Sequence, residues 1–298
     1  MDPLRQIEAF TTVVAMGSFV KAADRLGSSK AVVSRLVQDL EARLGTRLLH
    51  RTTRRLSLTD AGTDYFERCR RILDELAEAD AAASAATVQP RGRLRINVPV
   101  SFGNLCLAPL WGRFLERHPD VALDVQLSDR VVDLLEDGYD LAVRIARLPN
   151  STLVSRRLAS ARIVLCAAPQ YLARAPAIRS VADLAEHPVI AYSYSANGDA
   201  FRFEGPDGTH EVTIRPRMHS NSGDTCRAVA LTGQGLTLQP NFIIGEDLRA
   251  GRLVEVLPAY RLPELGIHAV YPSRQHLSLK VRRMVEFLSE SLAAPDWE

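Results

Sequence analysis

The chain of 298 residues is long enough for two domains, and 46% hydrophobic residues suit folded cores rather than a disordered chain. No apolar run reaches the roughly 18 residues of a membrane span. The first residues also lack the apolar core of a signal peptide, so we expect a cytoplasmic protein. The net charge of +2 is uneven: residues 1–58 carry ten Lys or Arg and five Asp or Glu, whereas residues 59–85 carry three and seven.

Residues 1–44 predict three short helices. Asp2 and Pro3 suit a helix start, because proline at the first helical position loses no needed amide donor. Ser18 is the predicted cap of a second helix, Gly27 marks the turn that ends it, and Ser29 caps a third. The last two helices form a helix-turn-helix pattern, which indicates a DNA-binding module.

The second helix of such a pair places its N-terminal residues in the major groove. Lys30 can donate to guanine, and Val32 or Val33 can touch a thymine methyl, although we expect at least one of these valines in the core. Phosphate contacts are expected from Ser34, Arg35 and Gln38. The alternative is an ordinary surface helix. The predicted DNA-contacting residues of the two helices are Ser18, Ser29, Lys30, Val32, Val33, Ser34, Arg35 and Gln38.

A basic segment follows the third helix. Residues 43–55 contain five arginines and no acidic residue, and the alternation around Leu56 and Leu58 predicts a hairpin, or wing. We expect Arg51, Arg54 and Arg55 to contact the phosphate backbone. A charge run is often only a solvated face, but its place directly after a helix-turn-helix pattern favours DNA contact.

A long helix is predicted next, capped by Thr59 or Asp60. Its apolar residues have the a/d spacing of a coiled coil, which predicts self-association; the alternative is packing on the helix's own domain, with a wider stripe. Residues 88–92 then read as a hinge. The a/d residues are Tyr65, Cys69, Ile72, Leu76, Ala79, Ala83 and Ala86.

These motifs resemble LysR-type transcriptional regulators. The resemblance rests on GSFVKAADRLGSSKAVVSRLVQDLEARLGTRLLHRTTRRLSLTDAG at 17–62, YDLAVRIARL at 139–148 and GQGLTLQP at 233–240. The family commonly has Ser-Gln, often followed by proline, where this chain has Ser29, Lys30 and Ala31, so base preference is not carried over. The resemblance implies a promoter-binding tetramer of two dimers. It also implies an effector domain of two α/β subdomains, with the fold of periplasmic ligand-binding proteins.

From Leu94 onward, strand and helix patterns alternate, which predicts an α/β domain with a mostly parallel sheet. VVDLLEDG at 131–138 is predicted as a helix, and Ser180 with Asp183 as a capping box. The resemblance implies crossings between subdomains near 165 and 267. The predicted domains are a winged helix-turn-helix at 1–58, a dimerisation helix at 59–87, a hinge at 88–92 and an effector domain at 93–298, with subdomain I at about 93–165 and 268–298 and subdomain II at about 166–267.

Ligands of such sheets bind beyond the carboxyl ends of the strands, where helix N-termini favour anions. We therefore expect a cleft that binds a small-molecule effector, most simply an organic acid. The alternatives are that Ser101 and Ser222 only cap helices, and that Arg144 pairs with Asp137 or Asp140. The predicted effector-contacting residues are Ser101, Phe102, Gly103, Asn104, Ser128, Arg144, Ser193, Asn221, Gln239 and Pro240.

The four cysteines show no metal-ligand spacing. Cys69 and Cys166 are predicted core residues, whereas Cys106 and Cys226 lie near helix starts, which can lower the pKa of a thiol. A redox-sensing regulator is therefore an alternative, and it fails if peroxide leaves operator affinity unchanged. An α/β enzyme is less favoured, since the sequence has no nucleophile elbow or phosphate-binding glycine loop. A non-specific architectural DNA binder would not need a cleft-forming domain. We expect no catalytic residue, metal or cofactor.

Overall fold

A computed structural model describes residues 2–51, 56–83, 89–146, 154–195, 198–272 and 277–297. The chain divides into two compact units, residues 1–88 and 89–298. Each unit has its own hydrophobic cores.

The described part of the first unit contains four helices and one hairpin. The predicted caps are confirmed: the side chain of Asp2 accepts from the amide of Leu4, that of Ser18 from Lys21, and that of Ser29 from Val32. Gly27 has a positive φ of 58°, as the predicted turn requires. The elements are α1 (Pro3–Met16), α2 (Phe19–Arg25), α3 (Lys30–Leu44), β1 (Leu49–Arg51), β2 (Leu56–Leu58) and α4 (Asp60–Ala83).

The predicted wing is confirmed as an antiparallel hairpin, with Leu49 opposite Leu58. Its base is fixed by Glu41, whose Oε1 accepts from the amides of Leu48 and Leu49 at 2.9 and 3.1 Å. Thr59 caps α4, because its Oγ1 accepts from the amide of Gly62 at 2.9 Å.

The apolar stripe of α4 divides into two parts. Its first turns pack on the core of the same unit: the Tyr65 ring lies 5.9 Å from that of Phe10, and Cys69 is buried. Farther along, Ile72 and Leu76 are 48% and 40% exposed. The side chains of Ala79 and Ala83, and the whole of Ala86, lie outside the described part of the chain. Packing on the helix's own unit is therefore confirmed for the first turns, and self-association through the later part stays a prediction.

Among its described residues, the second unit contains two five-stranded sheets. Their orders are β4-β3-β5-β14-β6 and β11-β8-β12-β7-β13, and β9 with β10 forms a separate hairpin. The strands are β3 (Gly92–Val98), β4 (Val121–Leu127), β5 (Leu141–Ala146), β6 (Val154–Ala161), β7 (Ile163–Ala167), β8 (Pro188–Tyr192), β9 (Ala200–Gly205), β10 (Gly208–Thr213), β11 (Arg215–Ser220), β12 (Leu236–Pro240), β13 (Val254–Glu255) and β14 (Leu265–Tyr271).

Helices pack on these sheets. A π-helical turn, Gly103–Leu107, joins α5 to α6, so these three pieces run as one continuous helical segment. A 3₁₀ helix, Val181–Glu186, begins with the predicted capping box of Ser180 and Asp183, which is confirmed. The α-helices are α5 (Val100–Phe102), α6 (Ala108–Arg117), α7 (Pro169–Leu172), α8 (Gly223–Leu231), α9 (Asn241–Arg249) and α10 (Leu279–Ser291).

The prediction of mostly parallel sheets holds for four strands of each sheet, but β14 in the first and β7 in the second run antiparallel to both of their neighbours. The prediction of a helix at 131–138 is wrong: residues 134–138 form turns, and 131–133 have no regular structure. Asp133 accepts from the amides of Leu135 and Glu136, and Asp137 accepts from that of Asp133, so local side-chain bonds replace helical ones.

The chain passes from one sheet to the other at Arg162, between β6 and β7, and returns with β14. Parallel strands β3 and β5 end at the same edge of the first sheet, and β8 and β12 end at the same edge of the second. The starts of α5 and α8 lie at these edges, directly after β3 and β11. The predicted cleft should therefore lie at these edges, beyond the carboxyl ends of the parallel strands.

Candidate DNA-contacting surface and effector cleft

The third helix separates the predicted DNA contacts into two faces. Val33 is completely buried in the core of the first unit, so its prediction as a base contact is wrong. Val32 is 47% exposed, and Lys30 and Arg35 are exposed beside it. The expectation that one of the two valines belongs to the core is therefore confirmed, and Val32 remains available to a thymine methyl.

The other residues of this surface have distinct roles. Ser29 and Gln38 are exposed, while Ser18 and Ser34 are partly exposed. Ser18 and Ser29 already accept amide bonds as helix caps, which fixes where each helix starts but leaves their hydroxyl protons free to donate. The surface thus starts at a capped helix end, where amides and positive charge face outward together.

Part of the basic segment has an internal role. The Nε of Arg43 donates to Oε1 of Gln6 at 3.1 Å, which braces α3 against α1. Arg51 lies at the end of β1, where it pairs with Leu56 of β2. The predicted contacts Arg54 and Arg55 lie outside the described residues, as does the Arg51 side chain.

In the second unit, Ser101 and Asp224 meet across the gap between the two sheets. The Oγ of Ser101, which is 5% exposed, donates to Oδ2 of Asp224 at 2.7 Å. Ser101 lies in α5, after the first sheet's β3, whereas Asp224 lies in the first turn of α8, after the second sheet's β11. The alternative in which Ser101 only caps a helix is excluded, because its hydroxyl joins the two halves of the unit.

A second hydroxyl and carboxylate pair stands beside the first. The Oδ1 of Asp129 accepts from the amide of Val100 at 2.8 Å, so this carboxylate caps the start of α5. The hydroxyl of Tyr192, at the end of β8, lies beside the same carboxylate. Burial first, and then the charge of Asp129, raise the pKa of Tyr192 far above its ordinary value. Tyr192 is therefore a neutral donor.

Gly223, at the start of α8, lies close to Ser101 and to another predicted effector contact, Gln239. A methyl group added there would lie 3.0 Å from Oε1 of Gln239 and 3.4 Å from Oγ of Ser101. Gln239 is 1% exposed, and Ser222 caps α8 by accepting from the amide of Thr225, as expected. Ser101, Gln239 and the start of α8 thus form one site, which we call the cleft site.

The sequence predictions did not include Asp224 or Tyr192 in this site. A carboxylate in the first turn of a helix is a usable signal, because it is stabilised by the helix dipole. Asp224 stands two residues after the predicted cap Ser222, so that signal was present in the sequence. Nothing in the local pattern marks Tyr192.

Two of the other predicted effector contacts are core residues rather than residues that line the cleft. Phe102 is completely buried and packs on Phe242, with ring centroids 5.2 Å apart, so it is a core residue. Gly103 is buried against Leu127 and Val98, where a Cβ would not fit. Asn104, Ser193 and Asn221 are exposed, and Ser128 and Pro240 are partly exposed. Within the described residues, none of these five forms a hydrogen bond with Ser101, and their contacts with an effector stay predictions.

Arg144 forms neither of the ion pairs considered for it. Its Nη1 donates to Oδ1 of Asn97 at 2.6 Å, and its other terminal nitrogen is buried without a hydrogen-bond partner among the described residues. Burial lowers the pKa of Arg144, with the nearby Tyr139 acting in the opposite direction. Asn97 is the penultimate residue of β3, so its bond with Arg144 ties β5 to the end of β3.

The thiols of the second unit are less acidic than expected. Burial raises the pKa of Cys106 to about 12 and that of Cys226 to about 11, so proximity to helix starts does not lower them. Cys226 and Cys166 are completely buried, and burial together with nearby Asp247 and Glu255 raises the pKa of Cys166 to about 12. At neutral pH these residues are thiols rather than reactive thiolates.

Within the described residues, no three His, Cys, Asp or Glu side chains are grouped so as to hold a metal ion. No helix in the described ranges is long and apolar enough to cross a membrane.

Comparison with known proteins identifies both units. Residues 4–63 match the family described as bacterial regulatory helix-turn-helix protein, lysR family, and residues 87–293 match the LysR substrate binding domain. The chain therefore belongs to the LysR family. It is a DNA-binding transcriptional regulator with a domain that binds small-molecule effectors.

Similar proteins carry the same description along their whole length. An HTH-type transcriptional regulator of Haemophilus influenzae is 38% identical over 281 residues, covering 94% of this chain and 98% of the relative. The solved structure of CrgA, a LysR-type regulator of Neisseria meningitidis, is 33% identical with a TM-score of 0.62, covering 97% and 98%. The virulence activator AphB of Vibrio cholerae is 27% identical with a TM-score of 0.61, over the same shares.

A structure of OxyR from Corynebacterium glutamicum also matches, with a TM-score of 0.62, but its 20% identity shows the fold alone. The relatives are named as regulators rather than enzymes.

Proposed function

We propose that this regulator binds promoter DNA as a dimer through the outer face of α3 and the wing. The observation that carries the proposal is the division of α3: Val33, Val37 and Leu40 are completely buried, while Lys30 and Val32 face outward. A helix held in this way presents its N-terminal residues as a rigid edge that fits a major groove.

Dimerisation is assigned to the second half of α4. Ile72 and Leu76 are large apolar side chains that its own unit leaves exposed, at the spacing of an a/d seam. A dimer would present two copies of α3 to two half-sites. The family resemblance further suggests a tetramer of two such dimers. A protein that acts on promoters works where the chromosome lies, which supports a cytoplasmic location.

Lys30→Ala is expected to change sequence preference, whereas Arg51→Ala is expected to weaken binding to all DNA. Loss of a base contact removes about 1–3 kcal/mol of discrimination at one position. Loss of a phosphate contact reduces the salt slope of log K by about 1. The measurement is selection from random duplexes, followed by titration of the selected and a scrambled duplex at several salt concentrations.

Gln6→Ala is a useful control, because Gln6 is buried and braces Arg43 rather than facing outward. It should leave sequence preference unchanged. Equal loss of affinity for selected and scrambled duplexes in Lys30→Ala would show that Lys30 does not read a base. Footprinting on the selected site tests the regulator itself: a discrete, two-part protected region supports it, and uniform coverage contradicts it.

The effector we favour is a small organic acid that displaces Asp224 from Ser101. The start of α8 already stabilises a carboxylate of the chain itself, and Ser101 donates to that carboxylate at 2.7 Å. An external carboxylate of similar size would satisfy the same donors. Its binding would break the bridge between the two halves, and it would favour whichever arrangement of the halves binds it more tightly.

Asp224→Asn separates an anionic effector from a cationic one. If the effector is an organic acid, the neutral amide competes less for Ser101, and the variant should bind the acid about tenfold more tightly, since a charge-assisted bond no longer has to be broken. If the effector is cationic, its binding should be lost. The measurement is a thermal-shift screen of small mono- and dicarboxylic acids and of amines, followed by calorimetric titration of each hit.

Asp199→Asn is a matched control on the same half, because Asp199 contacts His219 instead of Ser101. It should leave the affinity for each hit unchanged. Loss of organic-acid binding in Asp224→Asn would contradict the displacement mechanism, since it would mean that the carboxylate itself takes part in binding.

A further inference from the structure

We propose that Trp297 is a positioning residue of the cleft site, which holds the start of α5 against α9 and so fixes the angle between the two sheets. This inference rests on the proposed function, because it concerns how the effector cleft is kept in shape. It is carried by contacts at the place where the chain passes between the sheets.

The indole of Trp297 packs in a cluster of three aromatic rings. Its centroid lies 5.6 Å from that of Phe102 and 6.1 Å from that of Phe242, in both cases nearly edge to face. Phe102 belongs to α5 beside the first sheet, whereas Phe242 belongs to α9, which follows β12 of the second sheet. The ring therefore contacts both halves of the unit at once. Aromatic pairs prefer this edge-to-face geometry, and they stabilise a fold by more than the burial of their surface alone.

Hydrogen bonds tie the same residue to both halves. The indole Nε1 donates to the carbonyl of Ser160 in β6 at 3.1 Å, and the Trp297 carbonyl accepts from Nδ2 of Asn241 at 2.7 Å. Asn241 in turn exchanges two bonds with Arg162, the residue where the chain crosses: its Oδ1 accepts from the Arg162 amide, and its own amide donates to the Arg162 carbonyl. A rotation of one sheet against the other has to break or lengthen some of these hydrogen bonds.

The aromatic cluster is joined to the cleft site through two adjacent residues of the chain. Phe102 follows Ser101 directly, and Ser101 donates to Asp224 from the other half. Displacement of the Phe102 ring therefore moves the hydroxyl that joins the halves. Trp297 does not face an effector itself; it acts through Phe102 and Asn241, which fix where Ser101 and α9 stand.

Hydrogen exchange on the full chain tests the proposal without an effector. Trp297→Ala should raise the exchange rates of the Val100, Thr225 and Asn241 amides by about tenfold, since a ring contact and a hydrogen bond are both lost. Amides in the middle of the two sheets, such as those of Ile96 and Val189, should keep their rates. Trp297→Phe keeps a ring but loses the Nε1 donor, and should give intermediate rates.

Trp111→Ala is the matched control, because Trp111 is a partly buried indole of α6 packed on the first sheet's core. It should leave the three cleft amides unchanged. Unaltered cleft rates in Trp297→Ala would overturn the proposal. So would a uniform rise across both sheets in Trp297→Ala, since that is the result of a merely structural role.

If Trp297→Ala does not fold, fluorescence tests the coupling between Trp297 and the cleft site instead. The chain has two tryptophans, so Trp111→Phe leaves Trp297 as its single tryptophan, which is excited selectively at wavelengths that tyrosine does not absorb. Adding Asp224→Asn, which weakens the bridge to Ser101, should shift the emission of Trp297, and adding Asp199→Asn should not. An identical spectrum in all three proteins would refute the coupling. Binding of a selected duplex by the same variants tests the proposed function separately, because that activity resides in the first unit.

Discussion

Gly62→Ala is expected to lower the free energy of unfolding of the first unit by about 3 kcal/mol, the upper part of the range for an overpacked core. A Cβ at Gly62 would strike the carbonyl oxygen of Leu48 in the backbone. That oxygen already accepts from the amide of Thr59 at 3.0 Å, and Leu48 is 1% exposed, so neither partner can retreat easily. The wing would move away from α4, and DNA affinity would fall with it. Hydrogen exchange of α1 and α3 amides in the full chain measures the loss.

Gly112→Ala supplies the matched control. Gly112 lies inside α6, and nothing stands within 4 Å of an added methyl group. Alanine in an open helical position stabilises by about 0.4–1 kcal/mol, because the unfolded chain loses freedom. The free energy of unfolding is therefore expected to fall in Gly62→Ala and to rise in Gly112→Ala. If Gly62→Ala is as stable as the parent protein, the close approach of α4 to the wing is not required.

Asp247→Ala is expected to lower the free energy of unfolding of the second unit by about 3 kcal/mol, because a buried ion pair loses its anion. The Asp247 side chain is completely buried on α9. It accepts from Nε and Nη2 of Arg227 and from Nε of Arg252, the last at 2.7 Å. The two arginines come from α8 and from the residues after α9, so the carboxylate joins three pieces of chain. Thermal or denaturant unfolding of the full chain measures the loss.

The neighbouring Glu246 is the control for this substitution. It contacts Arg252 as well, at 3.1 Å, but its side chain is 78% exposed. Surface substitutions of this kind usually change stability by less than about 0.5 kcal/mol. Equal losses in Glu246→Ala and Asp247→Ala would contradict the assignment of the stabilisation to the buried carboxylate.

The Asp247 contribution also has a pH dependence with a definite sign. Burial alone would raise the pKa of Asp247, but the hydrogen bonds and charges of Arg227 and Arg252 outweigh it and hold the pKa below its ordinary value. A group with a lowered folded pKa stabilises fully above its unfolded pKa, about 3.9, and loses that contribution as the pH falls through the folded value. The stability difference between the parent protein and Asp247→Asn should therefore shrink only below about pH 4.

The sequence by itself determined the local features of the first unit. Caps at Asp2, Ser18 and Ser29 and the turn at Gly27 depend on hydrogen bonds and dihedral angles within a few residues, so a pattern over the same few residues suffices to predict them. The uneven charge of residues 1–85 likewise needs no fold to be seen. Residues 131–138 show the limit of such reasoning, since their apolar spacing is helical while their aspartates bind local amides.

Only the tertiary structure decided which residues share the cleft. Ser101 and Asp224 are 123 positions apart, and Trp297 reaches Ser160 across 137. Contacts at this separation depend on which strand ends meet at one edge, and mixed pairing of β7 and β14 makes that order unreadable from alternation alone. For the same reason the sequence could not show that Phe102 packs on Phe242 in the core or that Arg144 bonds to Asn97. Phe102 does follow β3 and Arg144 lies within β5, but the direction of each side chain is set by the neighbours it packs on, and those are fixed only by the fold.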